Sequence, residues 1–445
     1  MYFVVILLLS GVNFMRFVFI TSGSGRMECD ACLRDAWLAR AFRARGHDVV
    51  FIPTYTPPLE SAEETVGEHP IFYGGINVYL REKYPSFRFA PRFVQNLLDN
   101  KHLLKLSAKL GDMTDPEGLA DLTISVLMGK DGPHASEIKR VLDYLEALPR
   151  PDFFLLPNSL FAGLAEPLHK RFSLPVLCLL SGEDTFLEQF THPDLQHAKD
   201  ILRKQAAHID GFIAPSHYYA DFMQEYLQAP AVKMHVVPQG IDLQGYHQSP
   251  RPRSATPHRF IIGYRSPICP ANGLHVLIEA FHLLKKNTDT SGCQLRCAGF
   301  LNGADKAYFA EIKSQIREWG YEQDFSYVGE LTPTDRIAFL RGIDTLCVPT
   351  TYPEPIGSFV PEALAAAVPV VVSQHGCLPE WMEATHGGVL VPPCDPKALS
   401  KALRMLMLNR SDAAEMGREG QRAIFEKFNA EQTVIGFEEV FVNLG

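Results

Sequence analysis

Residues 352–362 read Tyr-Pro-Glu-Pro-Ile-Gly-Ser-Phe-Val-Pro-Glu and set two carboxylates, Glu354 and Glu362, on either side of a run of backbone amides. The N–H groups of Gly357, Ser358 and Phe359 between them can point at an anion, as amides at a turn or helix start do. Two elements must hold this stretch. Upstream, Leu346-Cys347-Val348 is an apolar run closed by Pro349, a short strand entering a loop. Downstream, residues 361–367 form a helix with Pro361 in its first turn, where a missing N–H does no harm. Residues 370–372 then return as a buried strand. Glu354 is thus expected in a loop at a strand's end and Glu362 in the first turn of the next helix. The competing reading is a capped helix with two solvated glutamates.

The surrounding chain alternates strand and helix. Residues 17–20 form a strand, 21–25 a turn containing Gly23, Ser24 and Gly25, 33–45 an amphipathic helix, and 48–53 the next strand. That order opens a nucleotide-binding type of sheet, although glycines in such a turn also serve its backbone alone. Residues 54–150 are the least regular part, with helical patterns at 91–110 and 135–148. Alternation resumes with a strand at 153–156, a helix at 158–171 and a strand from 175 that ends at Ser181-Gly182-Glu183-Asp184. Glu183 and Asp184 can bind hydroxyls or cap the next helix, and the residues leave both roles open. Residues 246–257, rich in Pro and Arg, read as a linker. A second sheet opens at 260, and helices at 395–408, 411–427 and 430–443 close the chain.

A chain of 445 residues exceeds one core, so two domains are expected. Apolar content of 46% and charged content of 21% describe a soluble globular protein. A net charge of −9 argues against nucleic acid as a partner. Nine cysteines, an odd number without a disulfide framework, fit a reducing cytoplasm. Cys29 and Cys32 lack a second ligand pair and read as structural, and no Asp-x-Asp occurs, so no metal is expected. The apolar start, residues 1–14, is too short to span a bilayer and reads as a dispensable extension before Met15, with a weak membrane anchor as the alternative. Peripheral membrane contact stays open, without a basic amphipathic helix to support it.

The glutamate spacing, followed by Ala-Leu-Ala-Ala-Ala-Val-Pro-Val-Val-Val-Ser, resembles the donor-site signature of family-4 retaining glycosyltransferases of the GT-B fold. Gly-Gly-Ile-Asn-Val-Tyr at 74–79 is similar to a bacterial sub-branch of that family, and further similarity lies at Gly263-Tyr264, residues 273–281 and Pro238-Gln-Gly-Ile-Asp. The resemblance covers nearly all the chain from Met15. It implies an α/β architecture of two Rossmann-like domains facing across a cleft: an acceptor-side domain at 15–245, a donor domain at 258–428, and a helix at 429–445 packing back on the first domain. It also implies that Glu354 faces the donor sugar, that Glu362 holds the nucleotide ribose, and that the amides of Gly357 to Phe359 bind phosphate. Gly23, Ser24, Gly25, Glu183, Asp184, Arg265, Asn272, Gly329 and Ile356 complete the candidate contacts. The implied partners are a nucleotide-sugar donor, as substrate with no separate cofactor, and a glycan or lipid-linked acceptor.

One departure bears on rate. The family grips the donor diphosphate with an Arg and, after four residues, a Lys; aligned on Gly263 and Gly273, those positions are Pro267 and Asn272. Breaking the sugar–phosphate bond leaves a nucleoside diphosphate with extra negative charge beside an oxocarbenium-like sugar. Loss of a positioned contact to such charge costs about 3 kcal/mol. Arg265, two residues earlier, is the available substitute, and the family glycine before Val-Pro-Val-Val is Ala367. The leading expectation is a metal-independent retaining glycosyltransferase of the hexosyltransferase class. Against it stands a non-catalytic nucleotide- or glycan-binding module of the same fold. Sugar-nucleotide epimerase or phosphorylase chemistry is the third option.

Overall fold

The computed structural model describes residues 14–21, 30–54, 116–246 and 259–444. Gly23, Ser24, Gly25, Cys29, the 74–79 stretch, the helical pattern at 91–110, residues 1–13 and the linker from 247 lie outside the described residues. The chain divides into two compact units: one runs to Pro238 and takes in the chain from Thr433, and the other spans Gln239–Gln432.

The first unit runs β1 (Arg16–Thr21), α1 (Asp30–Ala44), β2 (Asp48–Pro53), α2 (Pro116–Leu127), α3 (Ala135–Glu146), β3 (Phe153–Leu156), a 3-10 stretch (Ser159–Leu164), α4 (Ala165–Phe172), β4 (Val176–Leu179), α5 (Glu183–Leu187), α6 (His192–Ala206), β5 (Gly211–Ala214), α7 (His217–Leu227) and β6 (Met234–Val236). Its strands pair in parallel in the order β2-β1-β3-β4-β5-β6. Helices cover both faces, so a strand such as β3, Phe-Phe-Leu-Leu, is buried at every residue and reads as a continuous apolar run. Two details differ from the sequence expectation. Helix α2 lies in the part read as irregular. The helix expected over 158–171 splits into the 3-10 stretch and α4. Asn158 caps the Leu160 N–H at 3.1 Å. A Cβ at Gly163 would stand 2.3 Å from the Val126 carbonyl oxygen, so the turn is drawn tight against the end of α2.

The second unit runs β7 (Ile261–Arg265), α8 (Leu274–Lys285), β8 (Gln294–Ala298), α9 (Lys306–Glu318), β9 (Phe325–Tyr327), α10 (Pro333–Arg341), β10 (Thr345–Val348), α11 (Phe359–Ala365), β11 (Val370–Ser373), α12 (Leu378–Thr385), β12 (Gly388–Val391), α13 (Pro396–Leu408) and α14 (Arg410–Lys427). Its parallel order, β12-β11-β10-β7-β8-β9, is the Rossmann order, and it reverses between β7 and β10. Among the described residues, no helix is long and apolar enough to cross a membrane.

The last helix, α15 (Ala430–Leu444), joins the first unit from Thr433. Phe441 lies 4.4 Å from Phe153 and 6.0 Å from Phe17, ring to ring, and Phe437 lies 5.4 Å from Phe42. Each buried phenylalanine contributes roughly 1.5–3 kcal/mol. Glu438, 7% exposed, completes the anchor. Arg45 donates to both of its oxygens at 2.8 Å and His47 Nε2 meets Oε1 at 2.9 Å. Burial alone would raise the Glu438 carboxyl, but hydrogen bonds and charge from Arg45 and His47 hold it below its ordinary value. Because the folded group titrates below the unfolded one, its contribution is full above the free glutamate value of about 4.3 and fades as pH falls through the folded value. Glu438→Gln should therefore lower unfolding free energy at pH 7 by about 2 kcal/mol in urea titration and should remove this part of the acid-side loss.

Candidate functional site

Reversal of strand order in the second unit sets the carboxyl ends of β7 and β10 side by side, the place where open parallel sheets bind ligands. Strand β10 is buried throughout and delivers the chain through Pro349 into the loop at 350–358. Several contacts fix that loop's backbone. The Thr351 N–H donates to the Ala271 carbonyl and the Cys377 N–H to the Glu354 carbonyl, each at 2.8 Å. The Thr350 hydroxyl meets His375 Nε2 at 3.0 Å, and Trp381 Nε1 donates to the Ile356 carbonyl at 2.9 Å. Two glycines permit the close packing. At Gly273 (φ 73°) a Cβ would stand 1.8 Å from the Pro349 carbonyl oxygen, and at Gly376 (φ 60°) it would stand 2.3 Å from both N and O of Glu354.

Glu354 is 8% exposed, and its carboxylate turns back onto its own loop. Oε1 accepts from the Gly357 N–H at 3.1 Å and the Ile356 N–H at 3.4 Å, while Oε2 accepts from the Tyr352 hydroxyl at 2.7 Å. The Gly357 amide, expected to meet a phosphate, is engaged by Glu354. Tyr352 lies within the motif itself, and its phenol is pushed well up by burial and by the Glu354 charge, so it stays a donor. Ser358 caps α11 without a side-chain bond to its amides, and Phe359 is buried at the first helical position.

Glu362 meets two arginines. Its Oε2 lies 2.5 Å from Nη2 of Arg265, the last residue of β7, and its Oε1 lies 3.7 Å from Nη1 of Arg336 on α10. All three side chains are largely buried, at 16%, 9% and 11% exposure respectively. Arg265 and Glu362 are therefore brought together, and Arg336 joins them without any signal in sequence spacing. Burial raises the nearby Tyr246 phenol, reinforced by the Glu362 charge and opposed by Arg265, Arg336 and Arg341. Pro267 and Asn272 form a turn of their own: Asn272 Nδ2 donates to the Pro267 carbonyl at 2.9 Å, and the Tyr264 hydroxyl donates to the same oxygen at 3.1 Å. Asn272, expected as a ligand contact, is instead a buried brace of that turn. Gly329 lies just past β9, two strands from β7, with its carbonyl accepting from the Gly299 N–H at 2.9 Å.

In the first unit the order reverses between β1 and β3, and a buried polar network closes that edge. Arg34 donates to Ser181 Oγ at 2.5 Å, Asp35 Oδ1 at 2.6 Å and the Pro157 carbonyl at 3.1 Å, while the Thr21 hydroxyl donates to Asp35 at 2.8 Å. Glu183 departs from both roles left open for it. Its oxygens accept the Ser159 N–H at 2.8 Å and the Ser181 N–H at 2.5 Å, which ties the ends of β3 and β4 together. Asp184 stays half-buried and accepts the Tyr219 hydroxyl at 2.6 Å. Burial raises the Asp184 carboxyl against that hydrogen bond. Among the described residues no group of three side chains is arranged to hold a metal.

Residues 251–423 match the family described as Glycosyl transferases group 1, and residues 127–244 match Glycosyltransferase Family 4. The MMP alpha-(1->4)-mannosyltransferase of Mycolicibacterium hassiacum is 26% identical over 230 residues, 51% of this chain and 53% of that protein. The phosphatidyl-myo-inositol mannosyltransferase of Mycobacterium leprae is 27% identical over 213 residues, 47% of this chain and 53% of that protein. The chain thus spans about half the length of these curated relatives. HepE of Anabaena, solved in complex with UDP and glucose, matches with a TM-score of 0.68 at 18% identity, covering 96% of this chain and 99% of that one. Sucrose-phosphate synthase from Thermosynechococcus elongatus matches with a TM-score of 0.69 at 17% identity, covering 97% and 99%. These likenesses show the fold, GT-B, built of two parallel-sheet α/β domains.

Beyond Glu362 the helix closes in a Schellman turn: Val368 N–H donates to the Ala363 carbonyl at 3.0 Å and Ala367 N–H to the Leu364 carbonyl at 2.8 Å. Ala367 takes a left-handed φ of 57°, where the resemblance carries glycine. An L-residue there costs roughly 1–2 kcal/mol, more than the roughly 0.5–1 kcal/mol that glycine's unfolded-chain freedom removes. Ala367→Gly should therefore raise unfolding free energy by about 0.5 kcal/mol, read as an upward shift of the urea midpoint.

Proposed function

We propose that this chain is a retaining glycosyltransferase of the hexosyltransferase class, moving a sugar from a nucleotide-sugar donor to a glycan or lipid-linked acceptor. The observation that carries the reading is the pairing of Arg265 with Glu362 beside the Glu354 loop, at the switch point of the second sheet. The matched glycosyltransferase families support it, as does a fold shared with a protein solved with UDP and glucose. Two of the relatives are named as mannosyltransferases, one of them for phosphatidyl-myo-inositol, which favours a lipid-linked acceptor. The work would be done in the cytoplasm, at most peripheral to a membrane, with no metal and no cofactor beyond the donor itself.

In this reading Glu362 accepts the ribose hydroxyls, and Arg265 with the amides from Gly357 to Phe359 takes the diphosphate. Glu354 holds the transferred sugar. Its backbone is pinned by Cys377 and Gly376, so only its side chain has to turn away from Tyr352 and Gly357. The chemistry needs negative charge stabilised on the leaving diphosphate and positive character stabilised on the sugar. Arg265 supplies the first and the Glu354 carboxylate the second. No side chain is assigned as general base, since the departing phosphate can itself guide the acceptor hydroxyl.

A second reading, a binding module without turnover, is favoured by Pro267 and Asn272 alone, since their turn presents no cation. Purified protein incubated with a panel of nucleotide sugars and candidate acceptors separates the two. Sustained nucleoside diphosphate release is expected, reduced a hundredfold or more, about 3 kcal/mol, in Glu354→Ala. Saturable donor binding with no release would favour the module.

A further inference from the structure

Two demands fall on the single guanidinium of Arg265. Its Nη2 pairs with Glu362 Oε2 at 2.5 Å, and the donor reading asks the same side chain to meet a diphosphate. Its Nε–H is buried with no hydrogen-bond acceptor among the described residues, on a side chain only 9% exposed. A buried charged donor without an acceptor is costly to keep, and it points to an anion that completes the site. If Arg265 turned to that anion alone, Glu362 would lose its nearest cation while only 16% exposed. Arg336 stands on the other side. Its Nη1 is 3.7 Å from Oε1, beyond hydrogen-bond length but within ion-pair reach, so a shift of under an ångström would close the contact. Its Nε donates to the Leu331 carbonyl at 3.4 Å, which steadies the side chain against the start of α10.

We propose that Arg336 is a positioning residue that takes over Glu362 when Arg265 turns to the diphosphate of a bound nucleoside diphosphate. The two arginines act as a relay. Arg336 keeps the carboxylate paired and aimed at the ribose hydroxyls, which lets Arg265 exchange one anion for another without leaving a buried charge uncompensated. This rests on the donor reading above and deepens it by assigning a second cation to a site whose usual pair is replaced by Pro267 and Asn272.

The test is titration calorimetry on the full chain with UDP and uridine, GDP and guanosine, and ADP and adenosine. The wild type is expected to bind one diphosphate more tightly than its nucleoside. Arg336→Gln should cut that preference about tenfold, or 1.4 kcal/mol. Arg265→Gln should do the same, and the double variant should lose no more than either single one, since both act in one exchange. Arg336→Lys, which restores the charge, should keep most of the preference. If Arg336→Gln, or Arg336→Ala where the glutamine variant does not fold, weakens nucleoside and diphosphate equally, the relay is wrong while the donor reading stands. If the wild type binds none of the six, both fall together.

Discussion

A carboxylate that is mostly buried needs cations or hydrogen-bond donors within a few ångströms, and at Glu362 the second unit supplies two arginines. At about 4 Å and an effective dielectric near 20, each pair of opposite charges is worth about 4 kcal/mol before desolvation is counted. The fold meets the condition through chain order. Because the sheet reverses between β7 and β10, the residue ending β7 faces the helix that follows β10, so Arg265 reaches Glu362 although 97 positions of sequence separate them. Helix α10, which leads directly into β10, brings Arg336 to the other carboxylate oxygen.

The acids at the carboxyl ends of the two sheets are bonded differently. In the first, Glu183 has both oxygens on backbone amides and Asp35 is held by Arg34 and Thr21, so these acids fasten strand ends. In the second, the backbone is fastened by other means: Gly273 and Gly376 allow main chain to touch main chain, and Thr350 and Trp381 tie the loop to neighbouring elements. Glu354 and Glu362 are thereby relieved of holding strand ends. Their partners are side chains and loop amides, none of them in a strand's hydrogen-bond ladder.

Much of this was legible in the sequence because parallel strands covered on both faces appear as short apolar runs, as at 153–156, 346–348 and 370–372. The pair Glu354 and Glu362 stood out through its spacing and the Pro and Ala residues that start the helix between two such runs. Arg336 did not, because its meeting with Glu362 depends on where α10 lies and not on any local pattern. Glu183 was ambiguous for the opposite reason. An acid just past a strand's end looks alike whether it meets a ligand or the amides of a neighbouring strand, and only tertiary packing decides. The split of the 158–171 helix likewise follows from Gly163 lying against Val126, a contact that helical periodicity cannot report.

Pro267 and Asn272 bring no cation to the turn they form. A helix N-terminus at an exposed site contributes only about 0.3–1 kcal/mol to an anion, well short of the roughly 3 kcal/mol that a positioned donor supplies to developing charge. Amides at the start of α11 therefore cannot replace a missing cation alone, and in the donor reading proposed above Arg265 takes that part. It stands at the end of a strand paired along its whole length with β8 and is shielded from water, where a charge is worth more than at the surface. In the donor reading, the cation stands on the strand at Arg265 instead of in the turn at Pro267. The cost is that a carboxylate already occupies the new cation, and a second arginine beside that carboxylate is what makes such an exchange physically reasonable.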